Sequence, residues 1–261
     1  MKNIFAVALI FLSGTLFASP GMMDVSRLPD RFAKADVAFL DRVNSGKAIE
    51  ALELYRAIYS RIPKDSEAAW RVSMACYFVG FNISRNKDER IKLFAEGRDA
   101  GLAAAEYNPI STEAHFWAAV NMALYGQEVG VLKMLFTLGA IKEHLEKSLE
   151  LDPKYAYGGA SRILGKIDES LPEVLGGSKE RARRYYEKAI GYAPDEPLNY
   201  LFLARILKEH FKDKPRAIKV ASAGLDCKIE EPYRFESFEA LRLLKEFLGD
   251  AGTVPEKYLK N

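Results

Sequence analysis

Amphipathic segments that end in proline recur along this chain. Each segment places apolar residues three and four positions apart, and a short polar gap separates it from another amphipathic segment. The prolines are Pro63, Pro109, Pro153 and Pro194, at intervals of 46, 44 and 41 residues. Because proline stops a helix and a single helix pair cannot bury its apolar face, this spacing predicts an array of stacked helix pairs.

The pattern predicts an all-α fold, a helical-repeat solenoid of about five helix pairs plus a C-terminal capping helix. No strand-like alternation is sustained anywhere in the sequence. Asp65, Ser111 and the acidic start at Asp195 supply N-terminal caps and charges. The predicted helices span residues 30–44 and 47–61, 66–80 and 87–106, 111–125 and 128–151, 155–169 and 178–192, 196–211 and 214–226, and 234–249.

The first residues predict a leader. A lysine at position 2 precedes an apolar run over 4–17, and Leu16 and Ala18 stand at the −3 and −1 positions for cleavage. We therefore expect export, and a periplasmic location in a Gram-negative host, with an uncleaved membrane anchor as the alternative. The predicted organisation is a signal peptide, a short flexible lead, the α-solenoid and a C-terminal tail, over residues 1–18, 19–29, 30–251 and 252–261.

The charge balance argues against a nucleic-acid partner, and the cysteine positions argue against a disulfide. The chain has 38 basic and 36 acidic residues with the signs interspersed, which argues against nucleic acid as a partner. Cys76 and Cys227 lie in well-separated repeats, so we interpret both as small core residues rather than as a disulfide.

The sequence predicts no catalytic residue, no metal site and no cofactor. His115, His144 and His210 lie far apart and lack a His-Glu-x-x-His spacing, so a zinc site would require distant residues to converge. The alternative is that these histidines are partly exposed helix residues. No Gly-x-Ser-x-Gly motif is present, and we expect a non-enzymatic protein.

The best-formed repeat resembles a tetratricopeptide (TPR) repeat. In its second helix, Ala182 and Ala189 occupy the two small positions, Tyr186 the aromatic position and Pro194 the closing proline position. In the first helix of the following repeat, Tyr200 occupies the large position and Leu203 the leucine position. Ala204 and Leu207 occupy the small and bulky positions of the same helix. Small residues let two helices approach closely, and the aromatic residue fills the groove between them. The copy that ends at Pro109 has Gly97 and Gly101 instead, so its aromatic residue is missing.

A wider stretch, residues 130–225, is similar to the T-component of tripartite (TRAP) transporters. The similarity rests on the segments 157–165, 175–178 and 182–194, which combine glycine pairs with the TPR-like helix. This resemblance implies an exported TPR protein that partners a periplasmic substrate-binding subunit. It also implies a homo-oligomer with an apolar passage.

Two candidate sites follow from the TPR register. The first is the concave wall of first helices, where mixed apolar and polar side chains suit a peptide or an amphiphilic molecule. Its predicted residues are Arg71, Phe78, Trp117, Asn121, Leu124, Arg205 and Lys208. Trp117 would be the apolar anchor, although Trp117 and Phe78 can equally be core residues.

The second candidate is the loop at Gly176-Gly177-Ser178, where free N–H groups would hold an anion with help from Arg162 and Lys166. A simple tight turn is the alternative. The sequence thus predicts a non-enzymatic binding scaffold with a TRAP-accessory role. The alternative function is a carrier that holds a small apolar or amphiphilic ligand in an enclosed cavity.

Overall fold

The computed structural model describes residues 31–62, 64–229 and 235–250, and over these residues it is helical, without strands. The predicted leader, lead and tail and Pro63 lie outside the described residues. The α-helices are α1 Ala33–Leu40, α2 Ser45–Arg61, α3 Ser66–Phe78, α4 Lys87–Tyr107, α5 Thr112–Val129, α6 Val131–Leu151, α7 Tyr155–Ser170, α8 Lys179–Tyr192, α9 Pro197–Glu209, α10 Lys214–Leu225 and α11 Phe235–Asp250. None of the described helices combines the length and apolar character needed to span a lipid bilayer.

The described helices form two compact units. Unit 1 contains α1–α6 and ends at Asp152, and unit 2 contains α7–α11 and begins at Pro153. Within each unit a helix packs mainly on its neighbour in the chain, as α4 does on α5 and α9 does on α10. This arrangement confirms the predicted all-α, TPR-like helical-repeat fold. The sequence predicted one array over 30–251 and did not signal the division.

Three helices end two residues before one of the recurrent prolines. The residue between helix and proline has φ/ψ of −140°/90° at Asn108, −148°/99° at Asp152 and −141°/81° at Ala193. The proline ring clashes with a helical conformation of the preceding residue, which explains why all three have the same conformation. Their N–H groups still donate to carbonyls four residues earlier, at 2.9–3.0 Å. The proline spacing therefore fixes where these helices stop.

Glycines let α4 approach its neighbours closely in unit 1. A Cβ on Gly101 would lie 2.7 Å from the Cα and N atoms of Ala118 in α5. A Cβ on Gly97 would lie 2.5 Å from the side-chain oxygen of Asn121. Gly101 occupies the aromatic position of the TPR pattern, so helix-to-helix backbone contact replaces the missing ring in this repeat.

Unit 2 has the predicted TPR register. Ala182, Tyr186 and Ala189 are fully buried where α8 meets its neighbours. The ring of Tyr186 packs on Phe202 of α9 with centroids 5.4 Å apart. It also fills the space beside Gly165 of α7, where an added Cβ would lie 2.6 Å from the ring. The aromatic position thus joins three helices.

Two local features differ from the sequence prediction. Residues 79–83, predicted partly as helix and partly as a polar turn, form a π-helical turn that continues α3. Cys76 is a buried free thiol, and its burial raises the pKa of the thiol. Cys227 is only half-buried, so the predicted core role holds for Cys76 alone.

Substitution of Gly101 by alanine tests the close approach of α4 and α5. We expect Gly101→Ala to lower the free energy of unfolding by about 1–3 kcal/mol, because the new methyl overlaps the backbone of Ala118. Gly139→Ala is the matched control, since Gly139 lies in α6 with nothing within 4 Å of an added Cβ. This control should gain up to ~1 kcal/mol from helix propensity. Chemical denaturation measures both, and equal effects would contradict the close approach.

Candidate functional site

The predicted concave-wall residues of unit 1 lie in the packed interior. All five are buried in the described structure: Arg71, Phe78, Trp117, Asn121 and Leu124. Trp117 is 0% exposed, and its ring packs on Tyr77 and Phe116 with centroids 5.4 and 5.0 Å away. Trp117 and Phe78 are therefore core residues, which is the alternative that the sequence left open. In this conformation Trp117 cannot serve as an anchor on an open wall.

Arg71 neutralises a buried carboxylate in unit 1. Its Nε donates to Oδ1 of Asp36 at 3.3 Å, and the hydroxyl of Tyr55 donates to the same oxygen at 2.5 Å. The guanidinium also stacks over Phe32 and Trp70, 4.1 and 4.3 Å from the ring centroids. Burial, reinforced by the Asp36 charge, raises the pKa of Tyr55 well above its usual value. Because removal of Arg71 would leave a buried charge unpaired, its role here is structural.

Asn121 joins three helices of unit 1. Its Nδ2 donates to the backbone carbonyl of Ser73 at 2.9 Å and to that of Trp117 at 3.1 Å. The hydroxyl of Ser73 donates in turn to the carbonyl of Gly97 at 2.6 Å. These bonds link α3, α4 and α5, and they occupy the amide donors that the sequence prediction assigned to a ligand.

The two concave-wall residues of unit 2 are partly exposed. Burial of its guanidinium lowers the pKa of Arg205, and its buried Nη1 atom has no hydrogen-bond partner. The ammonium of Lys208 lies 4.8 Å from the ring centroid of Phe247. Ligand binding by these two residues stays a prediction.

The Gly176-Gly177-Ser178 loop is a tight turn. The three backbone N–H groups donate to the carbonyls of Glu173, Pro172 and Asp168 at 2.9, 3.0 and 3.0 Å. Gly176 has φ of +83°, and a Cβ on Gly177 would overlap the carbonyl of Leu171. The turn therefore needs both glycines, and its amides are already occupied.

The two cations predicted to assist an anion in this loop have other partners. Arg162 is buried and donates through Nη1 to Oδ1 of Asn199 at 2.5 Å and to the carbonyl of Tyr157 at 3.2 Å. The ammonium of Lys166 donates to Oε2 of Glu169 at 3.1 Å. The predicted anion site is not formed in this structure, because its donors bind protein acceptors.

Arg162 and Asn199 instead support a strained turn at the start of α7. Ala156, Tyr157 and Gly158 have φ of +55°, +52° and +74°, a left-handed conformation that non-glycine residues adopt at a cost. The amide of Asn199 donates to the carbonyl of Tyr157 at 3.1 Å and to that of Ala189 at 3.0 Å. The side chain therefore ties this turn to α8.

The structure brings together two histidines that the sequence left apart. Nδ1 of His115 in α5 lies 2.9 Å from Nδ1 of His144 in α6, across 29 residues of sequence. Nε2 of His115 lies 3.0 Å from the carbonyl oxygen of Pro109. Burial and the neighbouring His115 lower the pKa of His144, which favours its neutral form. No spacing motif could reveal this pair, since only the packing of α5 on α6 creates it.

The described surface also presents large apolar side chains. Phe136 of α6 is 88% exposed in unit 1, and Val174 is 91% exposed in unit 2. Val37 and Val43 are exposed along the first helix pair. In unit 1, therefore, Phe136 rather than Trp117 is an aromatic side chain that a protein partner can reach.

The fold defines the class of protein. Consecutive helix pairs with small residues at their crossings are the architecture of TPR-like repeat proteins, which in general bind other proteins. A sequence model of the family described as Regulator of microtubule dynamics protein 1-3 (RMD1-3) matches residues 32–165, slightly more than half of this chain. The chain belongs to this family.

The relatives are regulators of microtubule dynamics by name. Regulator of microtubule dynamics protein 1 from Mus musculus is 30% identical over 166 residues, which cover 63% of this chain and 54% of the mouse protein. The Bos taurus protein of the same name is 26% identical over 151 residues, covering 58% and 47%. The chain thus spans about half the length of the curated relatives it matches.

A solved structure shows the same fold. The crystal structure of MamA protein aligns with a TM-score of 0.50 and 16% sequence identity, covering 77% of this chain and 96% of MamA. At this identity the likeness shows the fold alone.

The predicted TRAP role is wrong. Membership of the RMD1-3 family overturns the prediction of an exported TRAP accessory and its small-molecule-carrier alternative. The predicted periplasmic location is contradicted in the same way, since the relatives are regulators of microtubule dynamics. The physical reason is that the residues behind the resemblance, such as Ala182, Tyr186 and Ala189, are buried packing residues. They specify helix contacts and carry no information about a partner.

Substitution of Asn199 tests the support of the left-handed turn. We expect Asn199→Ala to cost about 1–3 kcal/mol of unfolding free energy, because buried carbonyls and Arg162 lose their partner. Asn199→Asp keeps an acceptor for Arg162 but has no donors for the carbonyls of Tyr157 and Ala189. If the hydrogen bonds from Asn199 to the carbonyls of Tyr157 and Ala189 contribute more stability than its bond with Arg162, both variants have a lower melting temperature. An unchanged melting temperature in Asn199→Ala would contradict the assigned role.

Proposed function

We propose that this chain is a non-enzymatic protein-interaction module whose partner belongs to the microtubule system, with tubulin as the first candidate. The observation that carries the proposal is the family match over residues 32–165, which includes every helix of unit 1. The name of the relatives supplies the partner class. Because the match covers about half of those relatives, this activity is inferred for the module and not transferred from the whole protein.

The chemistry of unit 1 supports binding rather than catalysis. Its buried polar groups hold helices together, as Arg71 does with Asp36 and Asn121 does with Ser73. What remains for a partner is the outer surface, where apolar side chains stand among charged ones. Along α1 and α2, Val37 lines a groove of about 440 Å³ together with charged residues including Lys34 and Glu50.

Phe136 is the side chain in unit 1 that we assign as an anchor. Aromatic residues are enriched among the few interface positions that supply most of the binding energy. Phe136 is 88% exposed, so folding buries little of its apolar surface. A partner that covered it would therefore gain most of the burial energy of an aromatic side chain. Met134, two residues earlier in α6, is buried against Gly126 of α5, so α6 is packed on its neighbour while Phe136 remains exposed.

Co-sedimentation with microtubules and titration against unpolymerised tubulin test the proposal. We expect the full chain to bind, and Phe136→Ser to weaken binding by about thirtyfold, the equivalent of ~2 kcal/mol. Because the ring is exposed, this variant should keep its circular dichroism spectrum and melting temperature. Val174→Ser is the matched control, equally exposed but outside the family match, and it should bind like the unsubstituted chain.

The two parts of the proposal fail separately. If the unsubstituted chain binds neither microtubules nor free tubulin, tubulin is not the partner. If the chain binds but Val174→Ser weakens binding as much as Phe136→Ser, the surface around Phe136 is not the specific interface.

A further inference from the structure

The His115–His144 pair places two imidazoles of different helices in direct contact at the surface of unit 1. The two imidazoles meet through Nδ1 atoms 2.9 Å apart, with ring centroids 5.0 Å apart and planes inclined by 42°. Both side chains belong to a groove of about 420 Å³ on the surface of unit 1. The pair is therefore partly buried on the protein side and open to small solutes on the other.

The partner of His115 fixes the tautomers of the pair. The carbonyl of Pro109 can only accept a hydrogen bond, so Nε2 of His115 carries a proton and donates it. In neutral His115 the lone pair is then on Nδ1, and Nδ1 of His144 donates to it. An imidazole that donates one N–H to a backbone carbonyl and has a lone pair on its other nitrogen is the usual arrangement of a metal-ligating histidine.

The distance between the nitrogens suits a particular class of metal ion. Imidazole nitrogens bind at about 2.0–2.1 Å, so two nitrogens 2.9 Å apart subtend an angle of about 90° at a shared ion. This is the cis angle of a square-planar or octahedral centre and is smaller than the tetrahedral angle. Tetragonal sites with nitrogen and oxygen ligands favour Cu²⁺ and Ni²⁺.

We propose that His115 and His144 form a bidentate site for a divalent ion of this class, Ni²⁺ or Cu²⁺. Each histidine binds through Nδ1, and water completes the coordination. Glu143, Glu146, Lys147 and Glu150 line the same groove. Lys147 pairs with Glu150 at 3.1 Å, so Glu143 and Glu146 supply the remaining negative charge. On binding, His144 remains neutral: its Nδ1 loses the proton that it donated to His115, and its Nε2 gains one from solvent. His115 keeps its bond to Pro109 throughout.

A second cluster of potential ligands is less suited to a cation. Glu169, Glu209 and His210 of unit 2 place ligand atoms within 4.8 Å of one another. However, Glu169 already accepts from the hydroxyl of Tyr186 at 2.7 Å and from the ammonium of Lys166 at 3.1 Å. A divalent ion there would have to compete with both donors for the carboxylate of Glu169. The cluster provides a control for the first site.

Calorimetric titration of the untagged full chain with Ni²⁺ tests the proposal. We expect one site in the unsubstituted chain and at least a tenfold loss of affinity in His115→Ala and in His144→Ala. His210→Ala is the matched control and should bind within twofold of the unsubstituted chain. With Cu²⁺ as the probe, electron paramagnetic resonance should show splitting from imidazole nitrogen, which His144→Ala reduces.

Two results would overturn the site. If the unsubstituted chain does not bind Ni²⁺, or if the two substitutions together leave its affinity unchanged, the pair is a hydrogen bond between helices and nothing more. If His210→Ala removes binding instead, the ion binds at Glu169 and Glu209. His144→Gln, which keeps an amide able to hydrogen-bond His115, distinguishes loss of a ligand from loss of the fold. It should retain the circular dichroism spectrum and still lose the ion.

Discussion

The close approach of consecutive helices at small residues is the constraint on which this structure depends. Where Gly101 faces Ala118, or where Ala182 and Ala189 are buried on α8, no side chain holds the helix backbones apart. The short separation brings the apolar faces of a pair into contact and lets one polar side chain reach several helices. Asn121 in unit 1 and Asn199 in unit 2 both use this reach to satisfy backbone carbonyls of neighbouring helices.

The same constraint decides where function can lie. In unit 1, the first-helix positions that a TPR register assigns to a groove are buried, because the neighbouring helices come close enough to cover them. Arg71, Asn121 and Arg162 therefore have protein partners, and their polar groups are not available to a ligand. The outer surface of unit 1, where Phe136 is exposed, is the place at which we propose that a protein partner binds.

Packing also creates chemistry that no single segment contains. His115 and His144 belong to different helices, and each alone is an ordinary partly buried histidine. The α5–α6 contact places their Nδ1 atoms 2.9 Å apart, and the turn between α4 and α5 supplies the Pro109 carbonyl that fixes their tautomers. A proposed ion site and a proposed protein-binding surface thus share unit 1 without sharing residues.

The sequence by itself determined where several helices begin and end. Proline at a near-constant interval fixed the helix ends, since it excludes the helical conformation from the residue before it. Asp65 and Ser111 marked helix starts and cap them in the structure. Only the tertiary structure decided the burial of Trp117, the exposure of Phe136, the left-handed turn at Ala156 and the histidine pair. The physical reason is the sequence distance over which the interactions act. A helix end depends on residues within a few positions, whereas the burial of a side chain and the meeting of two histidines depend on contacts between residues tens of positions apart.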